Sequence, residues 1–203
     1  MIVREQTEDL ATSESDPSRA APLALPPLLP LAHAWAAIHT RPRCEGKVER
    51  RLLFRQIPVF LPVKNTRRTY GARVRISRVP LFTGYLFYDQ TTIDRIDVLR
   101  TYGVVRIVET KDPSRLAVEL DSVARILAVE GAKVSRHEWG PPGTPVEVFA
   151  GPFIGARGEL IRVKKGTRLV VKIGFLGAGI ETDIDEAFVR EVQEGEQSTL
   201  KKD

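Results

Sequence analysis

The chain has 203 residues, 42% of them hydrophobic and 28% charged, and carries a net charge of +5. These proportions exclude a wholly disordered polypeptide, and no apolar run approaches the roughly 18–20 residues of a membrane-spanning helix. One cysteine, Cys44, leaves no internal disulfide, and three scattered histidines (His33, His39, His137) predict neither a metal site nor a cofactor.

In chain order, residues 1–33 read as a disordered leader on a cytoplasmic protein. They are polar and acidic up to Arg19, and then run A-A-P-L-A-L-P-P-L-L-P-L from Ala20 to Leu31. Each proline removes a backbone donor, so neither helix nor strand ladder propagates there. An acidic start and a proline-broken apolar stretch also argue against a signal peptide.

Trp35 to Thr40 is a candidate buried strand, and Thr40 can cap a helix over about Arg43 to Gln56 with Pro42 in its first turn. That helix sets Cys44, Val48 and Leu52 on one face and Lys47, Arg51 and Arg55 on another. Ile57 to Val63 reads as an edge strand because of its two prolines, and Lys64 to Ala72 as a basic turn region. Arg73 to Val79 alternates with period two, and Gly84 to Tyr88 is an aromatic strand. Thr91 can cap a short helix over Ile93 to Leu99, and Val104 to Val108 is a further strand. Asp112-Pro113 opens a second long helix whose buried stripe is Leu116, Leu120, Val123 and Leu127.

Past this helix the periodicity fails around Gly140-Pro141-Pro142-Gly143, and five short strands follow without a helix: Val146–Phe149, Gly158–Val163, Leu169–Ile173, Ile180–Ile184 and Phe188–Val192. The predicted fold class is α+β. An N-terminal sandwich of helices on a mostly antiparallel sheet occupies 34–131, a linker 132–142, a small SH3-like β-barrel 143–193, and a flexible C-terminus 194–203. The charge is as uneven as the structure: residues 35–110 hold fifteen Lys and Arg against six Asp and Glu, and within 41–78 the only acids are Glu45 and Glu49. Such a block suits an anionic partner.

Enzymatic templates come up short. The glycines of G-P-F-I-G-A-R-G (Gly151 to Gly158) match neither a phosphate-binding loop nor a dinucleotide fingerprint, and no nucleophile elbow or paired-histidine motif occurs. No catalytic residue is assigned.

Three segments carry a resemblance. W-A-A-I-H-T-R-P-R-C-E (Trp35 to Glu45), P-L-F-T-G-Y-L-F (Pro80 to Phe87) and Y-G-V-V-R-I-V (Tyr102 to Val108) resemble, in this order, the N-terminal domain of the NusG family. G-T-P-V-E-V-F-A-G-P-F-I-G-A-R-G-E-L (Gly143 to Leu160) resembles a KOW motif, with Gly151, Pro152, Phe153, Gly155 and Gly158 as its core. The family's usual aromatic after the Trp is Ala36 here, and the Pro of its F-P-G-Y is Thr83. The T-R-P-R-C-E start and the arginine-rich strand before P-L-F look closer to the specialised RfaH and UpxY-like antiterminators.

The resemblance implies a non-enzymatic, monomeric regulator of transcription elongation, antitermination or termination, with no membrane partner. Its N-terminal domain would bind the clamp region of RNA polymerase through an aromatic patch, here His39, Phe82, Tyr85, Phe87 and Trp35. Its KOW domain would recruit a ribosomal protein or Rho. The specialised branch reads the non-template DNA strand with positive residues on the first helix. The matching candidates are Arg41, Arg43, Lys47, Arg51 and Arg55, with Lys64, Arg67, Arg68, Arg73 and Arg75 as a second basic set. A ribosome- or RNA-binding KOW protein without polymerase binding is the alternative; it would explain the charge but not Trp35 together with P-L-F-T-G-Y.

Overall fold

The computed structural model describes residues 28–31, 34–71, 73–138 and 142–192. The readings of a leader over 1–27 and of a flexible C-terminus over 194–203 lie outside the described residues, as do Gly140 and Pro141 of Gly140-Pro141-Pro142-Gly143. No described helix is long and apolar enough to cross a membrane.

The first domain is built on a four-stranded antiparallel sheet in the order β2-β5-β1-β6, from β1 (Trp35–Thr40), β2 (Val59–Phe60), β5 (Tyr85–Asp89) and β6 (Val104–Val108). Its two faces are both covered, which is why its strands read as nearly continuous apolar runs. Alternation sends Ala36, Ile38, Leu86 and Tyr88 to one face, under Val48 and Leu52 of α1 (Glu45–Phe54) and Val98 of α2 (Arg95–Leu99). Trp35, Ala37 and Phe87 point to the other, under Leu116, Leu120 and Val123 of α3 (Pro113–Ala128).

Several local expectations need correcting. Thr40 ends β1 and is buried; α1 starts at Glu45 with Cys44 as its N-cap, without a side-chain hydrogen bond. The cap of α2 is Asp94, whose Oδ1 accepts from Ile96 N at 2.9 Å, while Thr91 donates to Asp89 instead. Lys64 to Tyr70 is not a turn region. It belongs to β3 (Val63–Tyr70), which pairs along its whole length with β4 (Arg73–Pro80) as a separate two-stranded hairpin. K-N-T-R-R-T-Y carries no apolar alternation to announce a strand; its partner β4 supplies the ladder. Asp112 caps the helix that follows it, with Oδ1 accepting from Arg115 N at 2.9 Å.

The C-terminal strands β8 (Thr144–Val148), β9 (Arg157–Val163), β10 (Gly166–Ile173), β11 (Ala178–Ile184) and β12 (Val189–Glu191) form one antiparallel sheet in the order β12-β8-β9-β10-β11-β7. The edge strand β7 (Ser135–Glu138) lies inside the segment read as linker. Its sequence, S-R-H-E, has no strand pattern; pairing with β11 and a bond from Ser135 Oγ to Glu181 Oε1 at 3.1 Å hold it there.

The β domain is docked on α3. Ser122 Oγ accepts from Arg157 N at 2.9 Å, and Glu119 Oε2 from Gly174 N at 3.3 Å. Val146, Val148, Leu169, Val171, Ile173 and Ile180 continue the same hydrophobic cluster as Trp35, Phe82, Phe87 and the buried side of α3.

The end of the leader is also ordered by contact: Leu29 and Leu31 pack on this cluster, and Leu28 and Leu29 donate backbone N–H bonds to Asp121. These contacts fall within the segment read as a leader over 1–33.

Candidate functional site

The helix α1 turns Val48 and Leu52 inward and leaves Lys47, Arg50, Arg51, Phe54 and Arg55 at the surface, because its apolar side repeats every four residues. Opposite that face lie α2 and the turn after it. Together they line a cavity of about 790 Å³ bounded by Lys47, Arg50, Arg51, Phe54, Arg55, Asp97, Arg100, Thr101 and Tyr102. Two aromatic rings stand among these cations, Phe54 at 91% exposure and Tyr102 at 64%. Arg51 donates to Tyr102 O at 2.7 Å and its guanidinium lies 5.1 Å from the centre of the Tyr102 ring. Arg41 also approaches this ring, at 5.6 Å from its centre. Arg55 donates to Asp97 O at 3.1 Å, which ties the end of α1 to α2.

Planar aromatic and guanidinium surfaces among positive charges can stack on bases and neutralise phosphates. The structure brings Arg41, Lys47, Arg51 and Arg55 together here; Arg43 is exposed at the helix entry in a left-handed conformation, φ 61. Arg50, Phe54, Arg100 and Tyr102 were missed by the sequence reading. Phe54 could have been found, since it lies three residues past Arg51 on the same helical face. Tyr102 could not, because 51 residues separate it from Arg51.

The second basic set lies elsewhere. Arg73 and Arg75 are exposed on β4, and Arg67 and Arg68 occupy the facing strand, with Arg68 opposite Arg75 in register. One arginine fixes this hairpin to α1: Arg78 forks onto Glu49, Nη1 to Oε2 at 3.3 Å and Nη2 to Oε1 at 3.2 Å.

The aromatic set divides by depth. His39 and Tyr85 are half-buried neighbours on β1 and β5, with ring centres 5.0 Å apart. Phe82 and Phe87 meet edge to face at 6.0 Å, and both are buried, as is Trp35. Of the five, His39 and Tyr85 are half-buried, and Trp35, Phe82 and Phe87 are sealed in the core. The turn that carries Phe82 is shaped by Gly84, at φ 82, whose N–H donates to the buried Glu45 Oε1 at 2.8 Å. Its backbone conformation suits glycine, and its amide locks the P-L-F-T-G-Y segment to the start of α1.

The glycine-rich loop of the β domain is structural. Phe153 is buried, Pro152 exposed, and a Cβ at Gly151 would come within 2.8 Å of the Phe188 ring. At Gly158 a Cβ would lie 2.4 Å from Val170 O, and at Gly155 it would lie 3.0 Å from Nη1 of Arg125 on α3. These glycines let β10 and α3 approach the loop closely. The described residues contain no cluster of His, Cys, Asp and Glu able to hold a metal ion.

The family model described as "Transcription termination factor nusG" matches residues 33–127. No curated protein matches the sequence. Among solved structures, that of "Domain interaction in Thermotoga maritima NusG" is 21% identical, with 79% of this chain and 97% of that chain covered and a TM-score of 0.40. "Crystal Structure of MjSpt4:Spt5 complex conformation B" is 19% identical, with 79% and 97% covered and a TM-score of 0.25. TM-scores this low do not establish a shared arrangement of whole chains.

Proposed function

We propose that this chain, whose residues 33–127 match the NusG family model, is a transcription elongation and antitermination regulator of the specialised RfaH and UpxY-like kind. It binds the clamp region of RNA polymerase through the first domain, with His39 and Tyr85 at the contact, and suppresses pausing or termination. The cationic groove on α1 engages the exposed non-template DNA strand. The β domain, in its KOW role, recruits a ribosomal protein or Rho.

The observation that carries this reading is that the two candidate surfaces sit on opposite faces of one sheet. His39 and Tyr85 lie on the α3 side, and the groove lies on the α1 and α2 side. A single rigid domain can thus meet protein and nucleic acid at once. The groove's chemistry favours a single strand over a duplex, because stacking on Phe54 and Tyr102 needs unpaired bases.

The test is recruitment of the full chain to elongation complexes halted at a responsive leader and at scrambled leaders. The wild type should prefer one leader, and Arg51→Ala should erase the preference while polymerase affinity stays, since base-edge readout contributes about 1–3 kcal/mol per contact. Equal recruitment everywhere would leave a general elongation role in place of the specialised one. Capture of ribosomal subunits without polymerase would favour the RNA-binding alternative.

A further inference from the structure

We propose that Leu28–Leu31 is a strap that holds the β domain closed on α3, fastened at the buried carboxylate of Asp121. Asp121 is 6% exposed and stands at the centre of three bonds. Its Oδ1 accepts from Leu28 N at 2.6 Å and from Leu29 N at 3.0 Å, and its Oδ2 from Arg125 Nε at 2.8 Å. The Arg125 guanidinium, so oriented, lies against the Gly155 turn of the β domain, with Nη1 3.5 Å from Ile154 O. The far end of the strap is pinned to β1, where Trp35 Nε1 donates to Pro30 O at 3.0 Å. Beside these pins, Leu29 and Leu31 pack on the hydrophobic cluster that joins α3 to the β domain.

The coupling follows from burial. A carboxylate this enclosed is held by its donors, and each bond from a charged group is stronger than a neutral one. When the strap lifts, Oδ1 loses two N–H donors and water reaches the carboxylate, which weakens its hold on Arg125. When the β domain lifts, Arg125 loses Ile154 O and its hold on the same carboxylate loosens. Each event therefore favours the other.

Two amides report docking directly, since Arg157 N–H and Gly174 N–H are donated across the domain boundary to Ser122 and Glu119. Native-state hydrogen exchange of the full chain should be compared with Asp121→Ala and with Leu29→Asp/Leu31→Asp. Both variants should speed exchange at Arg157 and Gly174 at least tenfold, with the β10 amides of Leu169 and Val171 unchanged. A chain beginning at residue 28 should behave as the wild type. Unchanged exchange at the two reporters in Leu29→Asp/Leu31→Asp would overturn the strap. So would uniform acceleration through α3 and β10 in both variants, because the segment would then hold the fold and not the docking. The measurement involves no polymerase, so its failure is separate from any failure of the elongation reading.

Discussion

A glycine and a tyrosine show how differently single residues are tied to this molecule. Gly158 is fixed by contact: any Cβ there would meet the Val170 carbonyl at 2.4 Å, and that oxygen belongs to a strand with no room to retreat. Gly158→Ala should destabilise the β domain by about 2 kcal/mol or more through forced backbone movement, measured as a lowered urea midpoint. An unchanged midpoint would mean that β9 and β10 are not packed as described. Tyr102 is fixed by charge, with two guanidiniums against its exposed ring. Tyr102→Leu should leave stability within about 1 kcal/mol and weaken single-stranded DNA binding several-fold. At this scale the sequence was partly legible. Period-two alternation puts Tyr85 and Phe87 on one side of β5, and both indeed join the same cluster. It could not say that Phe87 would be sealed and Tyr85 left half-open, because depth depends on what covers the sheet.

Among the elements, those with strong local signals were readable. The Asp-Pro start and the stripe Leu116, Leu120, Val123 announce α3, and V-V-R-I-V announces β6. β3 and β7 were not readable, since neither carries an apolar pattern and both exist through a partner strand. For β7 the partner contact is electrostatic as well. Glu181 Oε2 meets His137 Nδ1 at 2.9 Å, and Oε1 accepts from Ser135 and from Arg168 at 3.1 and 2.5 Å. Burial pushes the Glu181 carboxyl up, but the bonds to His137 and Ser135 and the Arg168 charge outweigh it and hold the group below its ordinary value. A depressed carboxyl stabilises the fold above its unfolded pKa of about 4.3 and loses that contribution as pH falls through the lowered folded value. Protection of the β7–β11 amides should thus persist at pH 5 and fall below about pH 4. Glu181→Gln should remove that acid dependence.

For the whole molecule the docking of two domains matters most, and a second carboxyl biases it in the opposite sense. Burial raises the Glu119 carboxyl at the α3–β domain junction, against the lowering influence of Arg115 and of the Gly174 N–H. A raised carboxyl contributes most below its unfolded pKa, and that contribution is lost as pH rises through the raised folded value. The contribution of Glu119 to stability should therefore grow as pH falls from 7.5 toward its unfolded pKa of about 4.3. After correction for intrinsic rates, protection at the Arg157 amide should rise over that range in the wild type and stay flat in Glu119→Gln. The docking itself was illegible in the sequence. A proline- and glycine-rich connection suggests freedom, and nothing local to Ser122, Glu119 or Arg125 reveals a partner that lies 29 to 55 residues away.

The central claim is that the first domain, which matches the NusG family model over residues 33–127, binds RNA polymerase through the half-open face of its sheet. Equilibrium binding of the full chain to purified RNA polymerase elongation complexes tests it most directly, with wild type beside Tyr85→Ala. Truncating an interface aromatic typically costs about 2 kcal/mol, so the variant should bind roughly 30-fold more weakly with an unchanged unfolding midpoint. Equal affinity of the two chains, or no binding by the wild type, would contradict it.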